Sequence, residues 1–98
     1  MTADDLRTLA EHLDATAELP VRPDASPWLG EAAAVAADLD GADLPTSVVV
    51  ERVAHVSALL DEVDSTGNPT ADDHVAAAER AARRILDAAE AEDADPRG

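Results

Sequence analysis

The sequence contains no cysteine, no phenylalanine, no tyrosine and no lysine, and it has a single tryptophan, Trp28. Without cysteine there is no disulfide, no thiol catalysis and no thiolate metal site. Without aromatics a large ring-packed core is excluded, and the large apolar residues are 10 Leu, 9 Val, one Ile, one Met and the one Trp. No apolar run is long enough to span a bilayer, and no basic segment followed by an apolar one opens the chain, so a soluble, cytoplasmic protein without membrane attachment is expected. The four glycines, Gly30, Gly41, Gly67 and Gly98, form no Gly-rich loop, which leaves nucleotide binding unsupported.

What is abundant is acid. Aspartate and glutamate number 22 of the 98 residues against seven arginines, a net charge of -15. Such a chain repels itself in dilute buffer, and exposed charges are largely screened only when the Debye length falls to roughly 3 Å in molar salt. The composition therefore describes a salt-loaded cytoplasm, and stability is expected to be marginal and salt-dependent. That reading accounts for the acidity without a partner. Direct nucleic-acid binding is disfavoured by the charge. Mimicry of nucleic acid, with a negative helical rod entering a basic groove, is the one function the charge itself suggests.

The 23 alanines supply helix propensity and small packing volume where large side chains are few. Four segments carry helical periodicity, over about 3–18, 27–40, 46–64 and 70–90, separated by Pro and Gly, with 91–98 an acidic, disordered tail. Thr2 with Asp5 is a capping-box start for the first, whose stripe is Leu6, Leu9, Leu13 and Ala17. Ser26 before Pro27 opens the second, with Trp28, Ala32, Val35 and Leu39 as its stripe and Trp28 as a core anchor. Thr46 or Ser47 caps the third, where Val49, Val53, Val56, Leu60 and Val63 outweigh the strand-like triplet 48–50. Thr70 with Asp73 begins the fourth, along Val75, Ala78, Ala82, Ile85 and Ala89. These elements predict an all-α fold, one domain over 1–90, as a compact, roughly antiparallel four-helix bundle.

Few constellations could carry chemistry. His12, His55 and His74 each project at the edge of a stripe and could converge between helices as a metal or hydrolytic site, although no HExxH or ExxH spacing is present. Arg7 and His12 in RTLAEH match the loose Arg-x4-His pattern of HEPN-type helical ribonucleases. The match covers six residues, and Arg7 projects outward. The many acid pairs, such as Asp61 and Glu62, are adjacent residues that point apart on a helix, so they do not converge in a cleft for acid-base work. Glu79, Arg83 and Asp87, spaced by four, read as a solvated face of weak ion pairs. No catalytic, metal or cofactor-binding residue is assigned. Opposite the stripe of the second helix, Gly30, Ala33, Ala34 and Ala37 form a smooth face that another helix could approach closely, the expected contact with a protein partner or a second copy.

As a whole the chain resembles the small, acidic, lysine-poor and alanine-rich proteins of haloarchaea. The segments TADDLRTLAEHLDATAELP and SPWLGEAAAVAADLDG resemble an uncharacterised haloarchaeal family of unknown function. The resemblance implies no activity. A non-enzymatic interaction module or small accessory subunit is the expectation from the residues themselves.

Overall fold

A computed structural model describes residues 3–93 of the chain. It contains α1 (Ala3–Ala17), α2 (Ser26–Leu39), α3 (Thr46–Asp61) and α4 (Pro69–Asp93), with no strand among the described residues. Each helix packs against two neighbours, α1 on α2, α2 on α3, α3 on α4 and α4 back on α1, while the diagonal pairs make no close approach. The result is a square all-α bundle around one core. The pairs Asp5–Arg84 and His12–His74 run in opposite directions along α1 and α4, which makes those two helices antiparallel. Helix α4 continues to Asp93, past the expected end at Glu90; positions 94–98 of the expected tail, and the Thr2 cap of α1, lie outside the described residues.

The periodic apolar residues of α1, α3 and α4 explain why this core forms. Leu9, Leu13, Val53, Val56 and Ile85 are wholly buried, and all five expected stripe residues of α4 point inward together with Ala71 and Ala81. The three valines 48–50 are helical. On α1, Thr16 takes the buried place expected for Ala17 and donates its hydroxyl to the Leu13 carbonyl at 2.6 Å, so no polar group is lost to the interior. Burial here follows the spacing of large aliphatic side chains, the dominant favourable contribution to such a fold.

Helix α2 departs from the expectation. Its buried line is Ala25, Leu29, Ala32, Ala36 and Leu39, spaced four, three, four and three, and Trp28 is 38% exposed while Val35 is half-buried. Five alanines at 32–37 and one valine define no unique apolar face, which leaves the aromatic as the strongest apolar signal in the sequence. Ala25, just before the expected helix start, joins Leu29 in setting the rotation instead. Close packing of α2 through small buried side chains places the indole on the flank toward α3.

The helix starts also differ. Neither α2 nor α3 has a side-chain cap; Ala25 and Pro45 occupy their N-cap positions, and Ser26, Thr46 and Ser47 lie inside the helices. Asn68, rather than Thr70, caps α4, its Oδ1 accepting from the N–H of Thr70 at 2.9 Å and of Ala71 at 3.3 Å, with Pro69 in the first turn. Helix α3 stops at Asp61, three residues before the expected boundary at Asp64.

One end of the bundle is clasped by the two loops 18–25 and 62–68. The Arg22 N–H donates to the Thr66 carbonyl at 2.7 Å, and Asn68 Nδ2 donates to the Pro20 carbonyl at 3.0 Å. Thr66 is fully buried; its N–H and hydroxyl both donate to Asp72 Oδ1 at 2.8 Å, and its hydroxyl oxygen accepts from the Asn68 N–H at 3.1 Å. Gly67 between them has φ +79°, and a Cβ there would stand 2.7 Å from Arg22 Cγ. Positive φ and close approach together explain glycine at this turn. At the other end, Gly41 with φ +78° follows the C-cap Asp40 of α2, the usual left-handed helix exit.

Candidate functional site

Four surface regions follow from this packing, one on each helix-helix seam. Between α2 and α3 lies a shallow apolar hollow of about 290 Å³, lined by Pro27, Trp28, Glu31, His55 and Leu59. Leu59 forms its floor at 8% exposure, and the ring of Trp28 forms one wall. Glu31 and His55 stand at its edges as the polar groups, one from each helix. Trp28 and Leu44 are the exposed large hydrophobic side chains among the described residues.

The smooth face expected at Gly30, Ala33, Ala34 and Ala37 lies on the other flank of α2, toward α1. Ala33 is half-buried against the protein's own core, and with Ala37 it borders a hollow shared with Ala10, Glu11, Asp14 and Asp40. Gly30 opens on a second hollow formed with Thr16, Leu19 and Val21. Gly30, Ala34 and Ala37 are exposed, and a Cβ on Gly30 would meet nothing within 4 Å. Helix α1 therefore covers one edge of this face and leaves the rest as small side chains against solvent.

The three histidines divide. His12 on α1 and His74 on α4 come together, Nδ1 to Nδ1, at 3.0 Å, with ring centroids 5.2 Å apart and planes tilted by 42°. Both are half-buried. One Nδ1 carries the hydrogen and donates, and the other accepts through its lone pair. His55 belongs to the α2–α3 hollow on the opposite side of the square. Sequence reasoning placed both residues of the pair at stripe edges but had no signal for their meeting, since that depends on α1 and α4 being neighbours. Arg7 is exposed, and His12 is engaged with His74, which leaves the Arg-x4-His pattern without an assembled partner.

A larger hollow, about 550 Å³, is an open groove between α3 and α4 bordered by Ser57, Asp61, Glu79, Arg80, Arg83 and Asp87. Partial desolvation raises the Glu79 carboxyl above its ordinary 4.5, the charge of Asp61 adds to the rise, and Arg83 opposes it. Asp72 moves the other way, below its ordinary 3.8, because its carboxylate accepts the backbone N–H and then the hydroxyl of Thr66. Both shifts have local structural causes. No group of three or more His, Asp or Glu among the described residues could hold a metal ion, and no described helix is long and apolar enough to cross a membrane.

A family match spans residues 5–92, from the first turn of α1 almost to the end of α4. The chain belongs to the family described as Domain of unknown function (DUF8152). Apart from the first two residues of α1 and the last of α4, the four helices, both loops of the clasp and every hollow described above fall inside the matched segment, so the family unit spans the bundle. No curated protein and no solved structure matches the chain.

Proposed function

We propose that this bundle is a non-enzymatic protein–protein interaction module that pairs with a second copy of itself through the α2–α3 hollow. The observation carrying this reading is Trp28: the one aromatic ring of an aliphatic protein stands 38% exposed beside an apolar hollow instead of filling the core. Tryptophan is among the residues most often found at the energetic centre of protein contacts, because its large apolar area is buried at low conformational cost. The arrangement also suits a two-fold contact. Glu31 lies on the α2 side and His55 on the α3 side of the hollow. In an isologous pair, Glu31 of one copy can meet the partner's His55 while Trp28 enters the partner's hollow, and each contact occurs twice.

Charge sets the condition. Two copies each bearing -15 repel in dilute buffer, and screening by molar salt removes most of that barrier. The salt-loaded cytoplasm of a halophilic archaeon is the proposed setting. The competing contact is the face of Gly30, Ala33, Ala34 and Ala37; it offers no large side chain, and Ala33 already packs inward. Light scattering behind size exclusion in molar KCl separates the two. The wild type is expected as a dimer, Trp28→Ala as a monomer and Ala34→Glu as a dimer. A dimer lost in Ala34→Glu but kept in Trp28→Ala would transfer the contact to the small-residue face, and a monomeric wild type would overturn self-association.

A further inference from the structure

We propose that His12 and His74 form a two-nitrogen binding site for a divalent transition-metal ion at the α1–α4 seam. The two Nδ1 atoms face each other at 3.0 Å. Imidazole nitrogens bound to zinc lie about 2.0 to 2.1 Å from the ion, so two adjacent nitrogens on one ion stand roughly 3 Å apart, a little more for a tetrahedral arrangement. The pair already has that spacing. Its rings, with centroids 5.2 Å apart and a 42° tilt, meet at the Nδ1 atoms nearly head-on, so each ring must swing to turn its lone pair from the other nitrogen onto a shared ion.

The chemistry is an exchange of one cation for one hydrogen position. In the metal-free pair a single hydrogen lies between the two Nδ1 atoms; when both rings are neutral, the donor ring is the Nδ1–H tautomer and the acceptor ring the Nε2–H tautomer. Metal binding requires a lone pair on both Nδ1 atoms. The donor ring therefore loses its Nδ1 hydrogen to solvent and takes one up at Nε2, leaving two neutral imidazoles and no net proton released. Two protein ligands leave the other positions to water, in keeping with the absence of a third His, Asp or Glu ligand nearby among the described residues. This is an open site, unlike a closed structural centre. Imidazole ligands select Cu²⁺, Ni²⁺ and Zn²⁺ over Mg²⁺ and Ca²⁺, whose preferred ligands are oxygens.

Because the ligands come from the first and last helices, an ion held between them stabilises the folded bundle. Thermal unfolding in molar KCl with Zn²⁺ at a hundredfold excess over its dissociation constant should rise on the order of 10 °C. The rise should persist in His55→Gln and disappear in His12→Gln and His74→Gln. Mg²⁺ at equal concentration should leave the midpoint unchanged. A Zn²⁺ effect that survives in His74→Gln would assign binding to the acidic surface and overturn the site, as would no effect in the wild type. Electron paramagnetic resonance of Cu²⁺ on the wild-type protein gives a reading that needs no variant to fold: nitrogen hyperfine structure from two imidazoles is expected, and a spectrum with oxygen ligands alone would refute the proposal.

Discussion

The α1–α4 and α2–α3 seams lie on opposite sides of the same square and are built in opposite ways. Across α1 and α4, polar groups meet each other: His12 pairs with His74, and Asp5 accepts from Arg84 Nε at 3.2 Å. Across α2 and α3, the surface between Glu31 and His55 is apolar, and the largest side chain of the protein lies partly in the open beside Leu59. On the first seam the polar side chains find partners on the facing helix. The second presents an apolar surface that its own residues leave partly uncovered, which is where a contact with another molecule gains most from burial.

The comparison is tested most severely at adjacent positions on α2. Leu29 is 3% exposed and its neighbour Trp28 is 38% exposed. Leu29→Ala should therefore destabilise the monomer by about 2–5 kcal/mol, more than Trp28→Ala does, although the latter removes the larger side chain. Urea unfolding in molar KCl, at concentrations low enough to keep both variants monomeric, measures the order. The reverse order would return Trp28 to the core and remove the contrast between the seams.

The clasp gives the next largest effect, and it acts on both seams through the loops it joins. Asn68→Ala removes the cap of α4 and the hydrogen bond to the Pro20 carbonyl, and is expected to cost about 0.5–2 kcal/mol. Asp72→Asn weakens the same loop through its charge. Because the native carboxyl titrates below 3.8, its contribution is fully present above that value and is lost as pH falls through the native value. The variant should be less stable than wild type at neutral pH, with the difference closing below pH 3.8 in acid-unfolding curves.

Glu79 gives the smallest effect, with the opposite sign. Its carboxyl titrates above 4.5 in the native state, so folding favours the protonated form and the ionised form carries a cost at neutral pH. Glu79→Gln should raise the unfolding midpoint slightly at pH 7, and the gain should vanish as pH falls through the raised value toward 4.5. A loss of stability at pH 7 would show that Arg83 holds the carboxylate more strongly than desolvation and Asp61 oppose it.

Much of the fold was legible because large aliphatic residues recur at helical spacing in α1, α3 and α4, where Leu9, Leu13, Val53, Val56 and Ile85 mark the core without competitors. On α2 the same periodicity gives no direction. Alanines on nearly every side of α2 define no apolar face, so tryptophan, the strongest hydrophobic signal in the segment, points to the wrong side. The start of α4 was misplaced because TADD resembles a capping box, whereas Asn68 beside Pro69 supplies the cap and Asp72 turns back to Thr66. Neither the His12–His74 pair nor the contact of Arg22 with Thr66 could be read locally, since each joins positions far apart in the chain and depends on which helices are neighbours.

The exposure of Trp28 in the single chain, and its burial on pairing, can be followed directly because the protein has one tryptophan. Its fluorescence emission in molar KCl, recorded from nanomolar to high micromolar protein, should begin at the long wavelengths of a partly hydrated indole and shift to shorter wavelengths as copies associate. Emission fixed at short wavelength down to the lowest concentration, with a monomeric mass throughout, would show a ring buried within the single bundle and contradict the account.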